Sequence, residues 1–186
     1  MSGRKRFGLP VLAGAVVAAM LLPSAGGAVG GRYAFAGGTP RGRSEVVRAL
    51  EASSFDWQLV PARVTIRIER GTPSRAMPGE IWLDANLLDA GSFAWGVIQH
   101  EYAHQVDFFL LTAAARVLLL GEFGGSNWCT QGAGLSTDLG CERFASTLAW
   151  AYWPSADNCM HPATRPAISP ARFRHLLSGL IGEEEG

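Results

Sequence analysis

Residues Gly91 to Asp107 read G-S-F-A-W-G-V-I-Q-H-E-Y-A-H-Q-V-D, and the fold turns on them. Phe93, Val97 and Ile98 recur at helical spacing, which predicts a central helix from about Ser92 to Leu111. Asp89-Ala90-Gly91-Ser92 offers capping side chains ahead of it. On a helix, residues four apart project from one face, so His100 and His104 turn two imidazoles towards a common point. Two such nitrogens can share one metal ion, leaving one position for a third protein ligand and one for water. Glu101, turned about 100° around the helix from His100, stands beside that point rather than on it. There it can take a proton from the metal-activated water and pass it to a leaving amine. The plainer alternative is an exposed helix with two chance histidines.

The helical pattern can continue, across a break, through Ala113-Ala114-Ala115 to Leu120. Phe108 to Leu120 is strongly apolar but contains Arg116 and falls short of the ~20 residues a membrane span needs, so it reads as a buried core helix. Working outward on the N-terminal side, Glu80–Asp84 (E-I-W-L-D) reads as a strand and Gly71 to Gly79, with Pro73 and Pro78, as a loop. Val64, Ile66 and Ile68 alternate with Thr65, Arg67 and Glu69 in the period-two pattern of a half-buried strand. Ser44 is placed to cap a short helix carrying Val46, Val47 and Leu50, and the domain is taken to run from 44 to 182. Residues 29–43, rich in Gly and Arg, read as a flexible leader. On the C-terminal side, Gly-rich 121–137 reads as a loop, Asp138 to Trp153 as a helix ended by Pro154, and Ser169-Pro170 as the start of a last helix reaching about Leu180. Residues 183–186 form an acidic tail.

The chain has 186 residues, 48% hydrophobic and 17% charged, as expected for one core-forming domain. Its 16 basic residues cancel its 16 acidic ones, so it lacks the basic surplus of a nucleic-acid binder. The balance is uneven along the chain. Arg4, Lys5 and Arg6 are followed by an uncharged run to Gly31, apolar from Leu9 to Leu22 and then small around Ala25, Gly26, Gly27 and Ala28. A basic start, a short apolar stretch and a small-residue exit are the layout of a secretory signal over 1–28, with a membrane anchor through 7–22 as the alternative. Either way the expectation is a secreted, extracellular or cell-surface protein whose remainder is mildly acidic. Export permits disulfides, and Cys129, Cys141 and Cys159 allow one internal bridge with one thiol left over, the pairing being open.

The third metal ligand is sought downstream among Asp107, Glu122, Asp138, Glu142, Asp157, His161, His175 and the cysteines. A three-histidine signature is excluded, because it needs Gly at 107 and His at 110, where this chain has Asp107 and Leu110. Glu142 is the best choice: it lies early in the next helix, and Ala145, Ser146 and Ala149 on its face are small enough to let that helix approach. A carboxylate near a helix N-terminus also favours its ionised form. Asp138 is the alternative, although Ser136-Thr137-Asp138 reads more simply as a cap. Asp107, one turn past His104, suits either the second nitrogen of a ligand histidine or a salt bridge to an arginine.

The run His100-Glu101-Tyr102-Ala103-His104-Gln105-Val106-Asp107 with the later Glu142-Arg143-Phe144-Ala145 resembles the gluzincin zinc metallopeptidases, most closely the minimal, lethal-factor-like pattern, over roughly Glu80 to Trp153. The resemblance implies Zn2+ held by His100, His104 and Glu142, with Glu101 as catalytic base. It also implies that 80–84 is an edge strand along which an extended peptide pairs. Such enzymes add a Tyr or His that steadies the oxyanion; no motif position supplies it here, and the candidates are Tyr102, although it points off the metal face, Tyr152 and His161. The expected architecture is α+β and zincin-like: a small, mainly antiparallel sheet on the metal-bearing helix, with a second helix carrying the third ligand. The expected activity is hydrolysis of peptide bonds in a peptide or protein substrate. The rival is a non-catalytic exported module that binds a metal or a partner on the same fold.

Overall fold

A computed structural model describes residues 31–125, 127–129, 139–160 and 168–182. The fold is α+β, with a mixed four-stranded sheet and six helices among the described residues. The sheet order is β1 (Tyr33–Gly37), β2 (Val64–Glu69), β4 (Glu80–Asp84), β3 (Arg75–Met77). β1 pairs with β2 in parallel, β2 with β4 in parallel, and only β3 and β4 run antiparallel. The expected mainly antiparallel sheet is therefore corrected, because β1 reaches β2 through a crossover helix, α1 (Pro40–Ala52), and a crossover sets strands parallel.

Two further corrections follow from the same sheet. Residues 33–43, expected as part of a flexible leader, carry β1 and the start of α1. That helix is capped by Thr39, whose hydroxyl accepts from the Gly42 amide, with Pro40 in its first turn; Ser44 lies inside it. The expected loop 71–79 contains β3, and β3, not 80–84, is the sheet edge beside β4.

The alternation read in β2 holds. Val64, Ile66 and Ile68 are buried, and their row continues through Ile81 and Leu83 of β4, with Ile66 paired to Ile81 and Ile68 to Leu83. This face packs on α3 (Trp95–Leu110), the central helix, which is followed after a break at Leu111-Thr112 by α4 (Ala113–Phe123). A four-residue helix, α2 (Ala85–Leu88), and a 3-10 turn at Gly91–Ala94 lead into α3. No side chain caps α3: Ser92 instead donates to the Asp157 carboxylate at 2.8 Å. α5 (Gly140–Tyr152) lies along α3, and α6 (Pro170–Ile181), capped by Ser169, packs on α5. Phe144 and Phe173, both fully buried, join α5 to α6.

Buried polar groups of α3 lock the helix to its neighbours. Gln99 donates to the Ala49 carbonyl of α1 at 2.7 Å. Gln105 accepts from the Gly79 amide at 2.8 Å and donates to the Met77 carbonyl at 2.9 Å, so one amide side chain clamps the β3–β4 turn onto the helix. At Gly96 a Cβ would stand 2.4 Å from Asn158 Oδ1, and Asn158 in turn holds the carbonyls of Ala149 and Trp153 at the end of α5. The close approach of that segment to α3 therefore requires glycine at 96. Cys129 and Cys141 form the internal bridge, with Cys159 free, which resolves the open pairing. The export segment 1–28 and the acidic tail lie outside the described residues; among the described residues no helix is long and apolar enough to cross a membrane.

Candidate metal centre

α3 and α5 present His100, His104 and Glu142 to one point. His100 Nε2 lies 3.2 Å from His104 Nε2 and 3.1 Å from Glu142 Oε2, and His104 Nε2 lies 3.5 Å from Glu142 Oε1. Two donors each ~2.1 Å from a tetrahedral ion lie roughly 3.4 Å apart, so this spacing and donor set fit a divalent transition metal. Together the three residues form a group that could hold a metal ion. The helices come close enough because the α5 face towards α3 is Ala145, Ala149 and Ser146, with both alanines fully buried.

The electrostatics follow from burial and pairing. Burial works against ionised Glu142, but hydrogen bonds from His100 and His104 and their charges outweigh it, holding the carboxyl well below the usual range. Burial also lowers the basicity of both histidines. At His100 it prevails, with the neighbouring His104 adding to it; at His104 the Glu142 carboxylate and the more distant Glu101 and Asp107 reverse it and raise the value. A neutral imidazole and an ionised carboxylate are the ligating forms.

Glu101 is 6% exposed, and burial pushes its carboxyl up to about 7, with His104 opposing and the Glu142 charge adding. A carboxyl poised there can both accept and return a proton near neutral pH. It shares with the three ligand candidates an open cleft of about 130 Å³, whose other walls are Ser74, Arg75 and Ala76 of the edge-strand segment, Phe108 and Cys129.

The remaining expected residues fall as follows. Asp107 does not serve a ligand histidine: it accepts from Arg116 Nε at 2.7 Å and from the Trp128 indole at 3.1 Å, which ties α3 to α4 and to the segment before the disulfide. The second nitrogen of His100, Nδ1, instead stands 3.1 Å from Ser146 Oγ. Tyr102 and Tyr152, candidates for the oxyanion, do not line the cleft. Tyr102 is buried against Trp57, and Tyr152 packs on Phe55. His161 and Asp138 lie outside the described residues. Trp82 of β4 carries the Arg75 guanidinium 4.4 Å above its ring on the sheet.

Sequence reading missed the Gln105 clamp and the contact of Ser146 with His100. The available signal was a polar side chain in an otherwise buried helix turn, which must find partners somewhere, but no local pattern says where. Comparison with known proteins finds no matching family model, no matching curated protein and no matching solved structure.

Proposed function

We propose that the chain is a zinc-dependent metallopeptidase, exported or tethered at the cell surface, with His100, His104 and Glu142 as ligands and Glu101 as catalytic base. One observation carries this reading: three ligand atoms at metal-ligand spacing share an open cleft with a buried carboxyl that is not itself part of the set. A purely structural zinc site closes all four positions with protein atoms and has no use for such a base. Zinc, when bound, supplies Lewis-acid polarisation of the scissile carbonyl and of the attacking water. Glu101 takes the proton of that water and delivers it to the departing amine. Ser146 holds the His100 ring in its ligating orientation through Nδ1. The gluzincin resemblance of residues 80–153 belongs to this proposal, amended in that the strand bordering the cleft is β3, along which an extended peptide would lie.

The test is metal content and hydrolysis measured on the same preparations. Glu142→Ala should lose stoichiometric zinc, while Asp138→Ala keeps it; the reverse pattern would overturn the ligand assignment. Glu101→Gln should retain zinc and lose cleavage of a broad peptide library by about 10²–10⁴-fold. A zinc-loaded wild type that cleaves nothing in the library would favour the non-catalytic metal- or partner-binding module.

A further inference from the structure

The disulfide stands in the wall of the cleft. Cys129 lines it beside His100, Glu101, His104 and Glu142 and is exposed, whereas Cys141, next to Glu142 in the first turn of α5, is fully buried. The two sulfurs and a Glu142 carboxylate oxygen all lie within 4.8 Å of one another, so one carboxylate belongs both to the His/Glu group and to a sulfur-bearing group. A thiolate is among the strongest zinc donors, whereas a sulfur held in a disulfide has no such charge to offer. We propose that the Cys129–Cys141 bridge keeps the metal's fourth position open, and that reduction frees Cys129 to occupy it as a fourth protein ligand, switching the site off.

This rests on the zinc-peptidase reading above. A dithiol is the natural reductant class: its two S–H groups are oxidised to a disulfide, and two electrons and two protons pass to the sulfurs of Cys129 and Cys141. The Cys129 thiol then gives its proton to solvent as its sulfur binds where the attacking water would stand. Cys141, buried in the helix, stays a thiol. Cys159 takes no part; its sulfur faces the Phe93 carbonyl at 3.7 Å and does not line the cleft.

The experiment uses the full chain carrying Cys159→Ser, loaded with Co2+ as a spectroscopic stand-in for zinc. The reductant is a phosphine, which brings no sulfur of its own. The readout is the near-ultraviolet sulfur-to-cobalt charge-transfer band, independent of any hydrolysis. The oxidised chain should show cobalt bound without the band, and reduction should bring it up. Adding Cys129→Ser should abolish it with or without reductant, and adding Cys141→Ser should produce it without reductant, with peptide cleavage at least tenfold lower than in the oxidised parent. Bound cobalt with no band after reduction would overturn the latent-ligand proposal while leaving the His/Glu site standing. A band that survives Cys129→Ser would assign the sulfur to Cys141 and overturn it too. Failure of every form to bind cobalt would sink both the switch and the metallopeptidase reading.

Discussion

Tyr102 stands between the two candidate ligands in sequence, yet its side chain leaves α3 on the opposite side and is fully buried. Its ring meets Trp57 edge-on at 5.1 Å, and its hydroxyl has no hydrogen-bond partner among the described residues. Gly31 makes room for it: a Cβ there would come within 2.5 Å of the hydroxyl oxygen, and the backbone at φ +92° also favours glycine. An unpaired buried hydroxyl costs about 1–3 kcal/mol, whereas the ring supplies packing. Tyr102→Phe should therefore be neutral or stabilising by up to ~1 kcal/mol, and Tyr102→Ala should cost roughly 3–5 kcal/mol, both read from urea midpoints at unchanged slope. A Phe variant weaker than wild type by more than ~1 kcal/mol would mean that the hydroxyl has a partner. At this scale the sequence was informative: the 100° turn per residue alone puts Tyr102 off the face of His100 and His104.

Between elements, one carboxylate organises the approach to α3. Asp84 closes β4, caps α2 by accepting from the Asn86 amide at 2.9 Å, and also accepts from the Gly71 amide at 2.8 Å, joining the turn after β2 to the end of β4. These backbone donors, Asn86 first and then Gly71, lower the Asp84 pKa. A carboxyl with a depressed folded-state value adds stability above its unfolded value, and that stability is lost as the pH falls through the folded one. Asp84→Asn should therefore melt below wild type at neutral pH, and the gap should close on acidification below about pH 4. Melting curves at pH 7 and in acid check this, and a gap that persists in acid would assign the effect to shape rather than charge. The elements the sequence hid are those without local periodicity. β3 has three residues between prolines, and its place depends on Gln105 gripping Met77 and Gly79 from a helix more than twenty residues away. β1 sits in a Gly-rich stretch, and its pairing to β2 across α1 leaves no local pattern.

For the whole molecule, a metal bound between α3 and α5 would tie the middle of the chain to its last third. Binding at a hundredfold excess over Kd adds about 2.7 kcal/mol, which for a domain of this size is a Tm shift of roughly 5–10 °C. Chelation should lower the Tm of the zinc-loaded protein by that amount and leave Glu142→Ala nearly unmoved; equal sensitivity in the two would place the metal elsewhere. His100, Glu101 and His104 were legible without any structure, because helix geometry fixes the relative directions of residues one and four apart. The β2 alternation, the β4 strand, the helical spacing of α3 and the capped start of α6 were legible for the same local reason, whereas Phe108 to Leu120, expected as a buried core helix, breaks at Leu111-Thr112 and leaves Phe109, Val117 and Leu118 exposed. Tertiary structure decided the rest: that Glu142 is the carboxylate beside the histidines, that Ser146 and not Asp107 meets His100 Nδ1, that Cys129 pairs with Cys141, and that β3 rather than β4 borders the cleft. All but the disulfide, whose cysteines are 12 residues apart, are contacts between segments far apart in the chain. Such contacts are set by which apolar faces pack together and which small residues let helices approach, and no window of sequence contains both partners.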